Sequence, residues 1–279
     1  MKHIPETPSR LRITPIARLA VGGKWRVESM RALREPVFLW FTSGQGRITV
    51  AGTTRGYGTH NAIYIPPGTL HGFEVGLRAH GTAVFFGSDH SPDLPSAPVH
   101  LRIRESGPQK EITGILENIQ READSGRAGS VRAARHHLGL LEVWLERQIG
   151  AHDATPASLD RSADCAQRLS ARYASLLERD FRTNSTVADY AAALGITPTH
   201  LSRVCKATSG RTAHALLQDR IVYEARRLLT ETAHPVKDVA HSLGFSTPGY
   251  FTRMFQHNTG TTPTAFRKTQ PHQPLIPRY

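Results

Sequence analysis

The sequence predicts a multidomain α+β protein: an N-terminal antiparallel β-barrel with two helices after it, then an all-α domain holding two helix-turn-helix units. Three observations carry that expectation. Short β-type runs crowd residues 24–104, a helical unit is written twice between Val187 and Gly260, and a stretch almost free of large apolar side chains lies between the two regions.

Residues 1–23 mix Pro5, Pro8, Pro15, Gly22 and Gly23 with Arg10, Arg12 and Arg18, a composition that reads as a frayed terminus or, alternatively, an extended arm. From Lys24 the pattern changes. Val37–Phe41, Gly46–Val50, Ala62–Ile65, His71–Val75 and Thr82–Phe86 are strand-like, and Ser43-Gly-Gln-Gly46 and Pro66-Pro-Gly68 supply turns between them. Closely spaced antiparallel strands of this kind close into a small barrel. Inward-pointing aromatic and polar side chains could bind a small organic effector, and Trp25, Trp40, Tyr64, His71, Phe73 and Phe85 are the candidates by strand position. For each of them a plain core position is the competing reading.

Pro92, Pro95, Pro98 and Pro108 mark a loop around a short edge strand, His100–Arg104. Ile112, Ile115, Leu116 and Ile119 then define one helix. Leu138, Leu141, Val143, Trp144, Leu145 and Ile149 define a second, with a turn over Asp124–Gly129. Apolar residues on more than one face let this pair cover the barrel and still meet a second copy of the chain. Residues 24–149 thus form an effector-binding and dimerisation domain, and residues 150–164 a flexible linker.

The C-terminal domain, residues 165–268, is organised by its duplication. Val187-Ala-Asp-Tyr-Ala-Ala-Ala-Leu-Gly-Ile196 is answered by Val236-Lys-Asp-Val-Ala-His-Ser-Leu-Gly-Phe245. Thr197-Pro-Thr-His-Leu-Ser-Arg-Val-Cys-Lys206 is answered in turn by Thr247-Pro-Gly-Tyr-Phe-Thr-Arg-Met-Phe-Gln256. Val187, Tyr190, Ala191 and Leu194 fall on one helical face, as do Val236, Val239, Ala240 and Leu243. Gly195 and Gly244 stop those helices, and Thr-Pro starts the next. Two units result, residues 187–210 and 236–260, joined by a helix whose Leu217, Ile221, Ala225 and Leu228 recur at helical spacing. In each unit the second helix buries Leu201, Val204 and Cys205, or Phe251, Met254 and Phe255. Thr199, His200, Ser202, Arg203 and Lys206, and Thr247, Gly249, Tyr250, Thr252, Arg253 and Gln256, are left for the major groove of duplex DNA.

Ala225-Arg-Arg-Leu-Leu229, Val239-Ala-His-Ser-Leu-Gly-Phe-Ser246, Tyr250-Phe-Thr-Arg-Met-Phe255 and Gly260-Thr-Thr-Pro-Thr-Ala-Phe-Arg267 resemble the signature of the AraC/XylS family of bacterial transcription regulators. The resemblance covers Ala166 to Arg267. It implies a seven-helix DNA-binding domain whose two recognition helices enter adjacent major-groove segments, with RNA polymerase and a second copy of the chain as protein partners and a lean towards activation. His214, Ala213 and Gly249 depart from the pattern of the other repeat, so the first recognition helix is the stronger base reader. The N-terminal strand order, with Pro66-x-Gly68-x-x-His71, resembles the cupin barrel that is often fused to such domains. Cupin enzymes hold a metal through a His-x-His pair that is missing between Gln45 and Gly58, and His60 stands where a turn glycine is usual. No metal, cofactor or catalytic residue is therefore expected.

Composition sets the remaining bounds. The net charge is +12; residues 161–279 hold 16 Lys and Arg against 8 Asp and Glu, whereas residues 1–160 hold 19 against 15. The basic excess sits with the duplicated units, which favours a polyanionic partner. Cys165 and Cys205 make no disulfide framework, no run is apolar enough for a membrane span, and the N-terminus lacks a secretion signal, so a cytoplasmic location is expected. The expected function is an effector-responsive, sequence-specific DNA-binding regulator rather than an enzyme. The alternatives are a metal-dependent cupin enzyme with an accessory basic domain, and a constitutive regulator whose vestigial barrel only dimerises. Residues 269–279, rich in Pro and Gln, read as a flexible tail.

Overall fold

The computed structural model describes residues 10–76, 78–87, 94–153 and 161–270. The first nine residues of the expected arm, residues 154–160 of the expected linker and residues 271–279 of the expected tail lie outside them. Among the described residues the N-terminal half holds β1 (Arg12–Pro15), a short 3-10 turn, α1 (Trp25–Glu28), β2 (Val37–Ser43), β3 (Gly46–Val50), β4 (Thr53–Tyr57), β5 (Asn61–Ile65), β6 (His71–Phe73), β7 (His80–Phe85) and β8 (Val99–Arg102). A five-stranded sheet in the order β1-β7-β2-β5-β8 faces a three-stranded sheet in the order β4-β3-β6. The strand pairs are antiparallel.

Two of these strands were not evident from the sequence. The stretch read as part of an arm forms β1, paired with β7 from Arg12↔Phe85 to Pro15↔Thr82. Proline is tolerated there because β1 is an edge strand and Pro15 its last residue. Strand β4, with the weakly alternating sequence Thr-Thr-Arg-Gly-Tyr, follows a two-residue turn in which Ala51 and Gly52 both have positive φ, 49° and 75°. That turn matches the twist of the flanking strands, so it forces the hairpin where propensity alone does not.

Strand alternation distributes the apolar run Val37–Phe41 to both sides of the larger sheet. Val37, Leu39 and Phe41 point between the sheets and meet Ile48, Tyr57, Ile63, Ile65, Phe73 and Phe85. Phe38 and Trp40 point outward, with Tyr64, Val84 and Phe86, and are covered by α2 (Ser106–Ser125) and α3 (Ser130–Asp153) through Ile112, Leu116, Leu141 and Trp144. Each such side chain contributes about 1.5–3 kcal/mol when taken from water to full burial.

Among the described residues the C-terminal half holds seven helices: α4 (Arg161–Asp180), α5 (Val187–Ala193), α6 (Pro198–Ser209), α7 (Ala213–Glu231), α8 (Val236–Ser242), α9 (Pro248–Thr259) and α10 (Pro263–Thr269). Thr186, Thr197, Thr212, Thr247 and Thr262 each cap a helix by accepting the backbone N–H three residues on. A cap of this kind is worth roughly 1 kcal/mol. Gly195 and Gly244 take φ of 71° and 82° in the tight turns between α5 and α6 and between α8 and α9. Gly244 is doubly constrained, because a Cβ there would lie 2.5 Å from the Arg182 carbonyl oxygen.

The two halves touch. The Ala51-Gly52 turn lies against α4 and α6: the Gly52 carbonyl accepts from Ser170 Oγ at 2.9 Å and from Thr208 Oγ1 at 3.0 Å, and Thr54 Oγ1 donates to the Ser209 carbonyl at 3.1 Å. The Met30 N–H donates to Asp219 Oδ2 at 2.7 Å, and Met30 and Leu70 join the helical core.

Candidate nucleic-acid interface

Helix α6 is anchored by Leu201, Val204 and Cys205, all buried with Ser209. One helical turn repeats every 3.6 residues, so the opposite side carries Thr199, Arg203 and Lys206, which are exposed, while His200 and Ser202 at its margins are half-buried. Helix α9 repeats the arrangement. Phe251 and Phe255 are buried, Gly249, Tyr250, Arg253 and Gln256 are exposed, and Met254 is only half-buried against the same core. Thr247 is exposed but its hydroxyl oxygen is engaged as the α9 cap, and Thr252 is half-buried with its hydroxyl donating back to the Pro248 carbonyl at 2.9 Å. No backbone or side chain lies within 4 Å of a Cβ added at Gly249, so packing does not demand a glycine there.

What sets the two faces relative to each other is α7, nineteen residues or about 28 Å long. Its buried side carries an ion-pair network that sequence reasoning missed. Arg220, 3% exposed, pairs with Glu178 of α4 at 2.5 and 2.9 Å and with Glu224 at 3.1 Å, and its guanidinium lies 3.8 Å from the Phe181 ring centroid. Glu224 also accepts from Arg227 at 2.7 Å and from Arg182. Burial opposes ionisation of Glu224, but Arg227 and Arg220, with Arg182, outweigh it and hold the carboxyl down to about 2. Full pairing is what lets these charges sit inside, and it fixes α4 to α7 in one geometry. The signal in the sequence was Arg220, Glu224, Arg227 and Glu231 at spacings of three and four, hidden by the apolar stripe beside it.

The six side chains nominated for an effector are not brought together. Phe73 and Phe85 belong to the apolar interior between the sheets, whereas Trp40 and Tyr64 lie on the opposite side of the larger sheet under α2 and α3. Trp25 and His71 lie towards the helical half. Trp25 stands edge-on to Tyr223 at 5.8 Å and to Phe266 at 6.1 Å, with Arg226 5.6 Å from its ring. For Trp40 and Tyr64 the physical origin is parity, because alternate residues of one strand leave on opposite faces, whereas Trp25 sits on α1 and His71 at the start of β6, where the helical half docks. His71 is fully enclosed, its Nδ1 2.8 Å from the Thr69 carbonyl; burial first, then Arg31 and Arg220, drive its imidazole down to about 3. His60 has φ of 62°, the left-handed value a turn glycine would take, and stacks on Trp40 away from His71. Among the described residues no three His, Cys, Asp or Glu side chains converge as a metal set, and no helix is long and apolar enough to cross a membrane.

Comparison with known proteins adds to this geometry. A helix-turn-helix domain family model matches residues 190–269. The chain is 29% identical over 130 residues to the arabinose operon regulatory protein of Escherichia coli (strain K12), covering 47% of this chain and 43% of that protein. It is 28% identical over 179 residues to the transcriptional activator NphR of a Rhodococcus species, covering 60% of this chain and 51% of that one. The chain therefore spans about half the length of these curated relatives. Among solved structures, the C-terminal domain of AraT, a response regulator from Geobacillus stearothermophilus, aligns with 41% of this chain and 92% of its own at 24% identity and a TM-score of 0.35. The matched segment contains α6, α9 and the helix α7 that joins them, so residues 190–269 are those of a helix-turn-helix domain, and over about half of its length the chain is similar to the arabinose operon regulatory proteins.

Proposed function

We propose that the chain is a ligand-responsive regulator that binds promoter DNA through α6 and α9. The observation that supports this best is the pair of exposed polar faces, Thr199, Arg203 and Lys206 on one helix and Tyr250, Arg253 and Gln256 on the other, held on one rigid helix within a strongly basic half. Arg203 can offer a guanidinium fork to guanine O6 and N7, while Lys206 reaches phosphate. The sheet half, in this reading a cupin-like barrel, senses a small organic molecule and passes its state through contacts such as those at Gly52 and Asp219. Half-exposed Leu140 and Val143 on α3 support pairing of two copies there. Output is activation, with RNA polymerase as the protein partner at the promoter.

The test is binding of the full chain to the DNA upstream of its own gene and to a random duplex, followed by fluorescence anisotropy from low to high salt. Affinity should fall steeply, with a log–log slope of about −0.9 per phosphate contacted. Salt-independent binding, or equal affinity for every duplex, overturns the reading. Light scattering at micromolar concentration tests the dimer.

A further inference from the structure

The space between the two sheets is taken up by packed side chains, Phe41 on Tyr57 at 4.0 Å among them. A cleft of about 690 Å³ lies instead on the other side of the five-stranded sheet, under one flank of α2. Strand register builds its floor. Trp40 of β2 pairs with Thr82 of β7, and Thr82 with Pro15 of β1, so these three side chains stand in a row on one face. Thr113, Glu117 and Gln120, at helical spacings of four and three, form the facing wall. Ile112 and Ile119 point from α2 into the core and Leu116 reaches it at the cleft's edge, which leaves Thr113, Glu117 and Gln120 on the flank that borders the cleft.

Trp40 is the singular residue of that floor. It is 2% exposed, yet its indole Nε1 is buried without an acceptor among the described residues. A donor removed from water and left unpaired is costly, and such a group in a native protein calls for a partner. Its ring is held in place by His60, stacked at 5.8 Å and 18°, and by Trp144 edge-on at 6.4 Å. The cleft's charges balance, Arg18 and Arg121 against Glu117 and Asp124, and its remaining surface is apolar or hydroxylic apart from the Gln120 carboxamide.

The geometry points to this cleft as a ligand site for a small molecule with an apolar body of one or two rings and a carbonyl or carboxylate oxygen that accepts the Trp40 N–H. The assignment rests on the reading of the chain as ligand-responsive, and it moves the sensed molecule from the barrel interior to the sheet–helix boundary. A ligand there would touch β1, β2, β7 and α2 together, so it would act on how the helix pair sits on the sheet.

Two probes separate the oxygen types: coumarin, an uncharged lactone, and coumarin-3-carboxylate. Each is titrated into the full-length protein by calorimetry and ligand-observed NMR, with DNA affinity of the same preparation measured by anisotropy. Saturable one-to-one binding of at least one probe is expected, and the preferred probe identifies the charge class. Trp40→Phe keeps the ring and removes the donor, so it should weaken binding by up to about tenfold. Thr113→Trp, at an exposed position of α2, should fill the cleft and abolish binding without disturbing the fold. Absence of saturable binding for both probes overturns the site, as does unchanged affinity in Thr113→Trp; unchanged affinity in Trp40→Phe overturns the role of the indole. Failure of the unmodified chain to bind DNA overturns the regulator reading instead, independently of either probe.

Discussion

Thr208, in the last turn of the recognition helix α6, donates its hydroxyl to the carbonyl of Gly52, the apex of a hairpin in the sheet half, at 3.0 Å. One contact thus joins the helix proposed to enter the groove to the β3–β4 hairpin of the three-stranded sheet. The same carbonyl accepts from Ser170 of α4, so the hairpin tip is wedged between two helices. Gly52 has φ of 75°, and an added Cβ would lie 2.4 Å from Ser170 Oγ and 2.8 Å from the Ser170 carbonyl oxygen.

Gly52→Ala should therefore destabilise the chain by about 1–3 kcal/mol, from backbone strain plus overlap that only separation of the two halves relieves. Thr208→Val keeps the shape and removes one hydrogen bond, costing about 1 kcal/mol. Urea denaturation gives both values, and hydrogen exchange should show faster opening at the end of α6 in the glycine variant. Equal effects of the two substitutions would mean that the turn conformation is not what matters.

Arg203 and Arg253 occupy equivalent places in the two units but have different neighbours. Arg203→Ala should relax preference at one base pair by about 1–3 kcal/mol. Arg253→Ala should weaken binding to all sequences alike and reduce the salt slope by about one. A library of single-base operator substitutions decides between these roles; unchanged discrimination in Arg203→Ala would show that α6 enters the groove in another orientation.

His71 should make the fold acid-sensitive well above the carboxylate range. Its folded pKa is pushed down to about 3 by burial and by Arg31, whereas in the unfolded chain it titrates near about 6.5. Below that value the unfolded state takes up a proton that the folded state refuses. Stability is complete above about pH 6.5 and falls as pH drops towards 3, with a slope that approaches about 1.4 kcal/mol per pH unit for this group. His71→Asn should flatten the profile between pH 6.5 and 5, measured as the urea midpoint; a wild-type midpoint constant over that interval would contradict the assignment.

Arg220→Met should cost about 3–5 kcal/mol, because it leaves Glu224 and Glu178 without their shared cation. Glu224 then loses part of what holds its carboxyl near 2 while keeping Arg227 and Arg182, so the variant should lose less stability than the parent on acidification through the carboxylate range. Parallel denaturation series at pH 7 and pH 4 expose the difference, and parallel slopes would place the network's contribution elsewhere.

The helical half was legible in the sequence because its determinants are local. Periodic apolar residues, Thr caps, Gly195, Gly244 and the two Thr-Pro starts act within one or two turns of where they stand, and each helix begins and ends close to those signals. Exposure of Arg203 and Arg253 followed from the same periodicity, since the opposite face of each helix is the core. The sheet half was legible only as a set of strands. Which face each strand turns inward depends on pairing across long sequence distances, and that parity placed Trp40 and Tyr64 under α2 and α3 while sending Phe73 and Phe85 between the sheets. Trp25 and His71 were decided by something more remote still, the docking of β-strand and helical halves that are more than a hundred residues apart. Burial of Arg220 and Glu224 belongs to the same class, for a charge can be enclosed only once its partners on α4 and α7 have been assembled around it.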